Sequence, residues 1–230
     1  MSMVFKLLKK EATLNYNVST VIWCLCAAGM YYIPNYPAYI GMFYLLLSVM
    51  MIFQLGQAAN DLTYSALLPV RKVDTVSARF LYCGLLEIVI IALSLIACFV
   101  RRFTGFPPNA SGIDMNVAFY GLQLIILSII NLVYLGNVYK NPAKVGKLFL
   151  VSSILYFVLY AICELPIWVY RAMDEATGFI LANIGAYLTA TDGAGMIKQL
   201  PLLIVGIVFY VIGWVITYKR GCKQFQKYDI

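Results

Sequence analysis

Two acidic residues, Glu87 and Glu164, lie inside long apolar stretches of a chain that is 63% hydrophobic. A charge at the centre of a bilayer costs roughly 2.5–3.5 kcal/mol on insertion scales, so an acid there must face protein or water rather than lipid. Two interpretations stay open. The carboxyls line a conduit, as proton relays or as contacts for a cationic substrate, or they are neutral or paired and lock neighbouring helices together.

The residue types that carry most enzymatic chemistry are scarce in this chain. It has no histidine, which is the commonest general base, and no phosphate-binding G-x-x-x-x-G-K-[ST] loop or zinc-protease motif. Five of the six cysteines lie within apolar runs, where small buried side chains are the better interpretation than disulfides or metal ligands. We therefore expect no catalytic, metal or cofactor site on this chain.

A polar stretch from Asn60 to Arg79 interrupts the apolar sequence and is the first candidate for contact with another molecule. Pro69 prevents one continuous helix, so the stretch is predicted to form two short pieces with a bend. At the bend, the Leu67–Leu68–Pro69 corner resembles an anchor for a pocket on a protein partner. The alternative is an interfacial helix that binds anionic lipid through its basic residues.

After the bend, the spacing predicts a helix with two different sides. Apolar residues recur at intervals of three and four, which places them on one stripe. The stripe consists of Val70, Val73, Val76 and Phe80. The opposite, polar side is predicted to hold Arg71, Lys72, Thr75 and Arg79.

Composition places these elements in a membrane. The mean hydropathy is +0.84 and only 12% of residues are charged, whereas about a quarter are charged in soluble domains. Apolar runs of about 20 residues, the length that crosses a bilayer, predict an all-α integral membrane protein. The six predicted spans are Val18 to Ile33, Ala38 to Ala59, Phe80 to Val100, Val117 to Gly136, Leu148 to Tyr170, and Gln199 to Tyr218.

The distribution of positive charge predicts the topology. With both termini in the cytoplasm, all but four of the 17 basic residues fall on the cytoplasmic side, as the positive-inside rule requires. The basic residues that give the net charge of +7 thus lie in the segments between spans. We therefore expect them to contact membrane lipid rather than nucleic acid. The four exceptions are Arg101, Arg102, Arg171 and Lys198.

Two further segments are predicted to lie along the membrane surface. Residues 1–17 are predicted to form a short helix in the cytoplasmic interface. The external insertion 171–198 contains an apolar stretch that is too short to span, with Asp174 and Glu175 favouring its helix start and Gly193 and Gly195 ending it. Within it, residues 174–190 form either an interfacial or a re-entrant helix.

The motif Asn60-Asp-Leu-Thr-Tyr-Ser-Ala-Leu-Leu-Pro-Val-Arg-Lys72, continuing to Asp74 and Arg79 at the mouth of a span, resembles small permeases of the ABC-2 transporter family. The basic Lys-Leu-Leu-Lys-Lys-Glu start, the proline turn after the first span, the six spans, the apolar insertion and the lysine-rich end agree with it. The likeness covers essentially the whole chain, 1–230, as a single permease domain.

The resemblance implies a transmembrane subunit of an ATP-driven exporter in a bacterial plasma membrane. Segment 60–79 would then carry the coupling helix that contacts a separate ATP-binding subunit, on which ATP and Mg²⁺ are bound. A second permease copy or a sister permease would complete the transporter, and the substrate would be amphipathic or lipophilic, such as a peptide toxin, an antimicrobial peptide or a drug. The implied partner-binding residues are Leu67, Leu68, Pro69, Arg71, Lys72 and Asp74.

Two other functions compete with this one. An ion-coupled secondary transporter would use Glu87 and Glu164, although no internal repeat supports it. A non-transporting accessory or receptor subunit would use the basic loops to bind lipid or a signalling partner.

Overall fold

The computed structural model describes residues 3–15, 18–67, 69–107, 109, 112–172 and 180–227. These residues form α-helices, turns and one short 3₁₀ helix, with no strand among them, so the predicted all-helical fold is confirmed for this part of the chain. The helices are α1 Met3–Asn15, α2 Val18–Met30, α3 Ala38–Ala58, α4 Asp61–Leu67, α5 Lys72–Phe103, α6 Val117–Val133, α7 Val145–Ala172, α8 Ile180–Thr189 and α9 Gly193–Gln226.

Four of these helices, α3, α5, α7 and α9, are long and apolar enough to cross a membrane. The apolar helices α2 and α6 are shorter, with 13 and 17 residues. At 1.5 Å per residue they are about 20 and 26 Å long, against a hydrocarbon core of about 30 Å. The number of spans therefore stays a prediction, while the helices themselves are those of a membrane protein.

Helix α6 packs closely against α9, and glycines make the approach possible. A Cβ atom added to Gly206 would lie 2.3 Å from the carbonyl oxygen of Gly121, and one added to Gly121 would lie 2.7 Å from the carbonyl oxygen of Leu202. Such distances leave no room for a side chain, so the two backbones touch directly. Most of one α6 face, including Phe119, Ile126 and Ile130, is buried.

Several segments that are distant in sequence meet at one end of the helix bundle, which we call the terminal end. Helix α1 contacts α4 and the first turns of α5 there. The turn between α6 and α7 lies beside the last turns of α9, where Arg220 donates to Asn137 and Gln224 donates to the carbonyl of Gly136. The predicted cytoplasmic segments thus share one end of the molecule.

The opposite end holds the proline turn, the loop before α6, and α8. The side-chain amide of Asn116 donates to the carbonyl oxygens of Leu188 and Ala190, at 2.7 and 3.1 Å. The amide of Gln199 donates to those of Tyr187 and Ala190, at 2.8 and 3.0 Å. Protein side chains therefore satisfy the C-terminal carbonyls of α8. Asp174 and Glu175 lie outside the described residues.

Two helices extend beyond the spans predicted from the sequence. The helix predicted after the bend and the span predicted from Phe80 form one continuous helix, α5, because no proline or glycine interrupts residues 72–80. Helix α9 begins at Gly193, where the carboxylate of Asp192 accepts a hydrogen bond from the backbone of Gly195. The glycines expected to end the preceding helix therefore lie in the first turn of the last one.

Candidate functional site

The bend predicted in segment 60–79 is present between α4 and α5. Helix α4 ends at Leu67 and α5 starts at Lys72, with Pro69 between them. Leu67 is 71% exposed, and Pro69 is also exposed. Leu68 lies outside the described residues. An apolar side chain of this size at an exposed corner is available to a partner, which fits the anchor predicted there.

The charged residues after the bend differ in their availability. The side chain of Arg71 is 83% exposed and forms two hydrogen bonds of 2.9 Å to the carboxylate of Asp74, which is itself buried. The hydrogen bonds and charge of Asp74 raise the pKa of Arg71 above its ordinary value. Lys72 is half-buried. Arg71 thus provides the exposed positive charge at the corner, and Asp74 orients it.

Arg79 does not lie on an exposed polar side, which corrects the sequence-based prediction. Its side chain is 2% exposed, and Thr75 one turn earlier is equally buried. Arg79 donates from Nε and Nη2 to the two carboxylate oxygens of Glu11, at 3.0 Å each, and from Nη2 to Asp61. Helix α1 covers this side of α5, and the guanidinium is buried because two acids neutralise it.

These contacts form a buried cluster, which we call the ion cluster and define as Lys10, Glu11, Asp61, Ser65 and Arg79. Lys10 donates to Asp61 Oδ1 at 2.5 Å and to the hydroxyl of Ser65 at 2.8 Å. The cluster contains two acids and two bases, so its charges balance. It joins α1, α4 and α5, and α4 runs from it to the exposed corner at Leu67.

Interactions within and around the ion cluster favour the charged forms of its side chains. Burial alone would raise the pKa of Asp61, but the charge of Arg79 and the hydrogen bond and charge of Lys10 outweigh burial, so this pKa lies below its ordinary value of 3.8. The Arg79 guanidinium also lies over the ring of Phe53 in α3, 5.8 Å from its centroid. A cavity of about 140 Å³ borders Glu11, Asp61 and Arg79.

The scarcity of acidic residues in the first part of the sequence points to this cluster, whereas helical periodicity does not. Glu11 and Asp61 are the only acids before Asp74. Glu11 follows three lysines in α1. In a chain with so few acids, a carboxylate at this position suggests a specific cationic partner. Its partner Arg79 is 68 positions away, however, and helical spacing describes only near neighbours.

Glu87 lies at the centre of a second polar group, formed by α5, α6 and α9. Its Oε2 accepts hydrogen bonds from Asn131, Tyr210 and Trp214, at 3.2, 2.5 and 3.1 Å. The residue is 1% exposed. Three donors from two neighbouring helices thus satisfy this buried carboxylate.

Glu164 holds the loop before α6. Both of its carboxylate oxygens accept from the backbone N–H of Ile113, at 3.1 and 3.0 Å. Arg171, two turns further along α7, donates to the carbonyl oxygens of Asn109 and Gly112 in the same loop. Glu87 and Glu164 thus belong to separate polar groups on different helices. Among the described residues, no three Cys, Asp or Glu side chains come together as metal ligands.

The sequence matches the family described as ABC-2 family transporter protein over residues 6–220. Comparison with curated proteins gave no match, and comparison with solved structures gave none either. The matched region runs from α1 through every apolar helix and into the last turns of α9. The chain therefore belongs to the ABC-2 family of transporter proteins, as a transmembrane subunit of an ABC transporter.

Proposed function

We propose that this chain is the transmembrane subunit of an exporter that moves an amphipathic or lipophilic substrate outward, using ATP hydrolysed on a separate subunit. ATP and Mg²⁺ bind to that partner, which contacts the corner formed by Leu67, Pro69 and Arg71. The observation that carries this proposal is the combination of an exposed apolar corner with a buried ion cluster on the same short helix, α4.

The ion cluster connects α4, which carries the corner, to α1 and α5. A force on α4 reaches Asp61, and from there it passes through Arg79 to α5 and through Lys10 to α1. A loop tied only to its flanking residues would move by itself, whereas α4 moves together with two other helices. This arrangement suits an element that receives a push from a motor subunit.

The terminal end is proposed to lie in the cytoplasm, where ATP is available. It carries α1, α4, the turn before α7 and the end of α9, and these segments contain most of the basic residues. Two copies of the chain, or one copy and a sister permease, would assemble with two ATP-binding subunits.

Co-purification tests the partner contact. Leu67→Ser and the double variant Arg71→Glu/Lys72→Glu should each reduce recovery of an ATP-binding subunit with the tagged chain. Phe103→Ser is the matched control, because Phe103 is similarly exposed, at 76%, but lies at the opposite end. Recovery that is unaffected by both corner variants would contradict the proposed contact. Failure to recover any ATP-binding subunit with the wild-type chain would favour the accessory-subunit alternative.

We further propose that Glu87 and Glu164 hold helices together and do not conduct ions. Each carboxylate is occupied by donors from neighbouring segments, which supports a structural role. Replacing each by Gln keeps the shape and an acceptor oxygen. Transport should then follow the amount of folded protein and remain independent of a proton gradient. Loss of transport in a well-folded Glu87→Gln or Glu164→Gln variant would favour the ion-coupled alternative.

A further inference from the structure

Four basic side chains form an exposed surface at the terminal end, which we call the basic surface. Arg220 donates to Asn137 Oδ1 at 2.8 Å, which joins the last turns of α9 to the turn between α6 and α7. The basic surface consists of one residue from this turn and three from α9, all of them exposed: Lys140, Lys219, Arg220 and Lys223.

No acid balances the charge of the basic surface. The sequence contains no aspartate or glutamate between residues 115 and 163 or between residues 193 and 228. Within the described part of the chain, none of the four basic residues forms an ion pair. Lys223 lies three residues after Arg220 and four after Lys219, and like charges at these spacings destabilise a helix. An anion bound at this surface removes the repulsion.

Helix α9 places these cations at the level of the lipid head groups. Tyr218 ends the last predicted span, and residues 219–223 lie about 2 to 8 Å beyond it at 1.5 Å per residue. The head-group layer of a bilayer is about 5–8 Å thick on each side. Lys227 is also exposed but lies about 14 Å beyond Tyr218, which is outside this layer. The unbalanced charge is therefore concentrated where the phosphates of phospholipids lie.

Exposed apolar side chains of α9 lead directly to the basic surface. Four exposed side chains lie within about 60° of the circumference of α9, at 100° per residue: Ile212, Ile216, Lys219 and Lys223. Their common face is apolar toward the middle of the helix and basic at its end. A phospholipid has the same arrangement, with acyl chains below an anionic phosphate. A soluble acidic protein would complement only the basic part, so a lipid is the better fit.

We propose that the basic surface binds the head group of an anionic phospholipid in the cytoplasmic leaflet, which carries a negative surface potential. The cations of α9 contact the phosphate through charge-assisted hydrogen bonds, and Lys140 adds its charge from the turn. The acyl chains lie along Ile212 and Ile216. The lipid thus bridges α9 and the turn, in addition to the hydrogen bond between Arg220 and Asn137.

Lipid binding to the purified full-length chain tests the surface without ATP or a partner subunit. Phosphatidylglycerol and phosphatidylcholine with the same acyl chains are added in a non-ionic detergent, and bound lipid is counted by native mass spectrometry. Phosphatidylglycerol should bind about tenfold more tightly, because its head carries a net negative charge. Equal affinity for the two lipids would overturn the proposal. Glycerol phosphate should compete poorly because it lacks acyl chains, and competition as strong as that of the lipid would equally overturn it.

Lys223→Gln and Lys227→Gln form a matched pair, one turn apart on α9. Lys223→Gln should weaken the binding of phosphatidylglycerol about fivefold, whereas Lys227→Gln should change it less than about twofold. The double variant Lys219→Gln/Lys223→Gln should weaken it about twentyfold. Each variant is checked for the elution volume of the wild type. Unchanged binding in the double variant, or equal effects of Lys223→Gln and Lys227→Gln, would contradict the site.

Co-purification with an ATP-binding subunit separates a lipid from an acidic protein as the occupant of the basic surface. Lys219→Gln/Lys223→Gln should recover this subunit as the wild type does, because the proposed partner contact lies at the corner that contains Leu67. Reduced recovery with unchanged binding of phosphatidylglycerol would assign the surface to a protein and overturn the lipid. Since lipid binding is measured on the chain alone, its result is independent of the transport proposal.

Discussion

Arg79 carries a charged side chain that is buried between three helices of a membrane protein. The cost of removing its guanidinium from water is met by two carboxylates, one of which it binds through both oxygens. Replacing all members of a buried ion cluster by apolar residues can leave the stability of a protein unchanged. Removing a single partner, however, leaves an uncompensated buried charge. The cost of breaking the ion cluster should therefore exceed the net stability gained by forming it.

Arg79→Met should lower the free energy of unfolding by about 3–5 kcal/mol, because Glu11 and Asp61 would share only Lys10. Arg79→Lys should recover part of this loss, since an ammonium keeps the charge but lacks the planar fork that binds both oxygens of Glu11. Thermal unfolding in detergent, followed by tryptophan fluorescence, measures both. The control is Lys9→Gln in α1, whose exposed side chain lies outside the ion cluster, so the melting temperature should stay almost unchanged. Equal melting temperatures for all three variants would contradict the role of the cluster.

Asp61 predicts how the stability of the cluster depends on pH. Its pKa is lower in the folded protein than its ordinary value of 3.8. The ionised carboxylate therefore stabilises the fold above pH 3.8, and this contribution is lost as the pH falls through the lower, folded-state pKa. The melting temperature of the wild type should exceed that of Asp61→Asn by a constant margin between about pH 5 and 8. A margin that already disappears near pH 6 would contradict the prediction.

At the scale of elements, α6 and α9 pack with their backbones in direct contact. Helix α6 is short and mostly buried, and it approaches α9 so closely that backbone atoms meet at Gly121 and Gly206. Ser128 continues the contact by donating to the carbonyl of Phe209 at 2.8 Å. Small residues and a hydrogen bond thus replace the large apolar side chains that join helices in water.

Gly206→Ala should destabilise the protein by about 1–3 kcal/mol, because the added methyl group would meet the carbonyl of Gly121 and force the helices apart. Gly29→Ala is the control, since a Cβ there would meet nothing within 4 Å. It should be neutral or slightly stabilising, because alanine has the higher helix propensity. The melting temperatures of both variants, measured in the same detergent, test this difference in stability. A Gly206→Ala variant as stable as Gly29→Ala would show that the two helices can separate without cost.

Local sequence patterns predicted the elements better than their contacts. Pro69 correctly marked the bend between α4 and α5, and the apolar stripe placed Val76 and Phe80 in the core. The same pattern put Arg79 on the wrong side. Spacing shows which residues share a face of one helix, but it does not show what covers that face, and the covering helix α1 comes from a distant part of the chain. Ionic partners that far apart have no local signature.

At the scale of the whole molecule, the charge distribution predicted which segments meet. Four basic segments assigned to one side by counting lysines and arginines do lie at one end of the bundle. The partners of Glu87 could not be predicted in this way. Asn131, Tyr210 and Trp214 have ordinary positions in apolar helices, and only the packing of α5, α6 and α9 brings them to one carboxylate.

The orientation of the bundle is directly testable. In a variant lacking the native cysteines, Lys144→Cys at the terminal end should resist a membrane-impermeant maleimide applied to intact cells. Thr104→Cys at the opposite end should react, because both positions are exposed and only their sides of the membrane differ. Lysed cells serve as the control, in which both should react. Labelling of Lys144→Cys in intact cells would invert the proposed topology.

Helix α5 runs without a break from the ion cluster to the opposite end of the bundle, with Arg79 near one end and Arg102 near the other. The two residues are about 35 Å apart along the helix axis, at 1.5 Å per residue. A rigid rod of that length is a lever arm: a tilt of about 5° about Arg79 displaces Arg102 by about 3 Å. That distance is comparable to a hydrogen bond, so a small rotation at one end of α5 is enough to make or break a polar contact at the other, such as the 3.4 Å ion pair between Arg101 and Asp114.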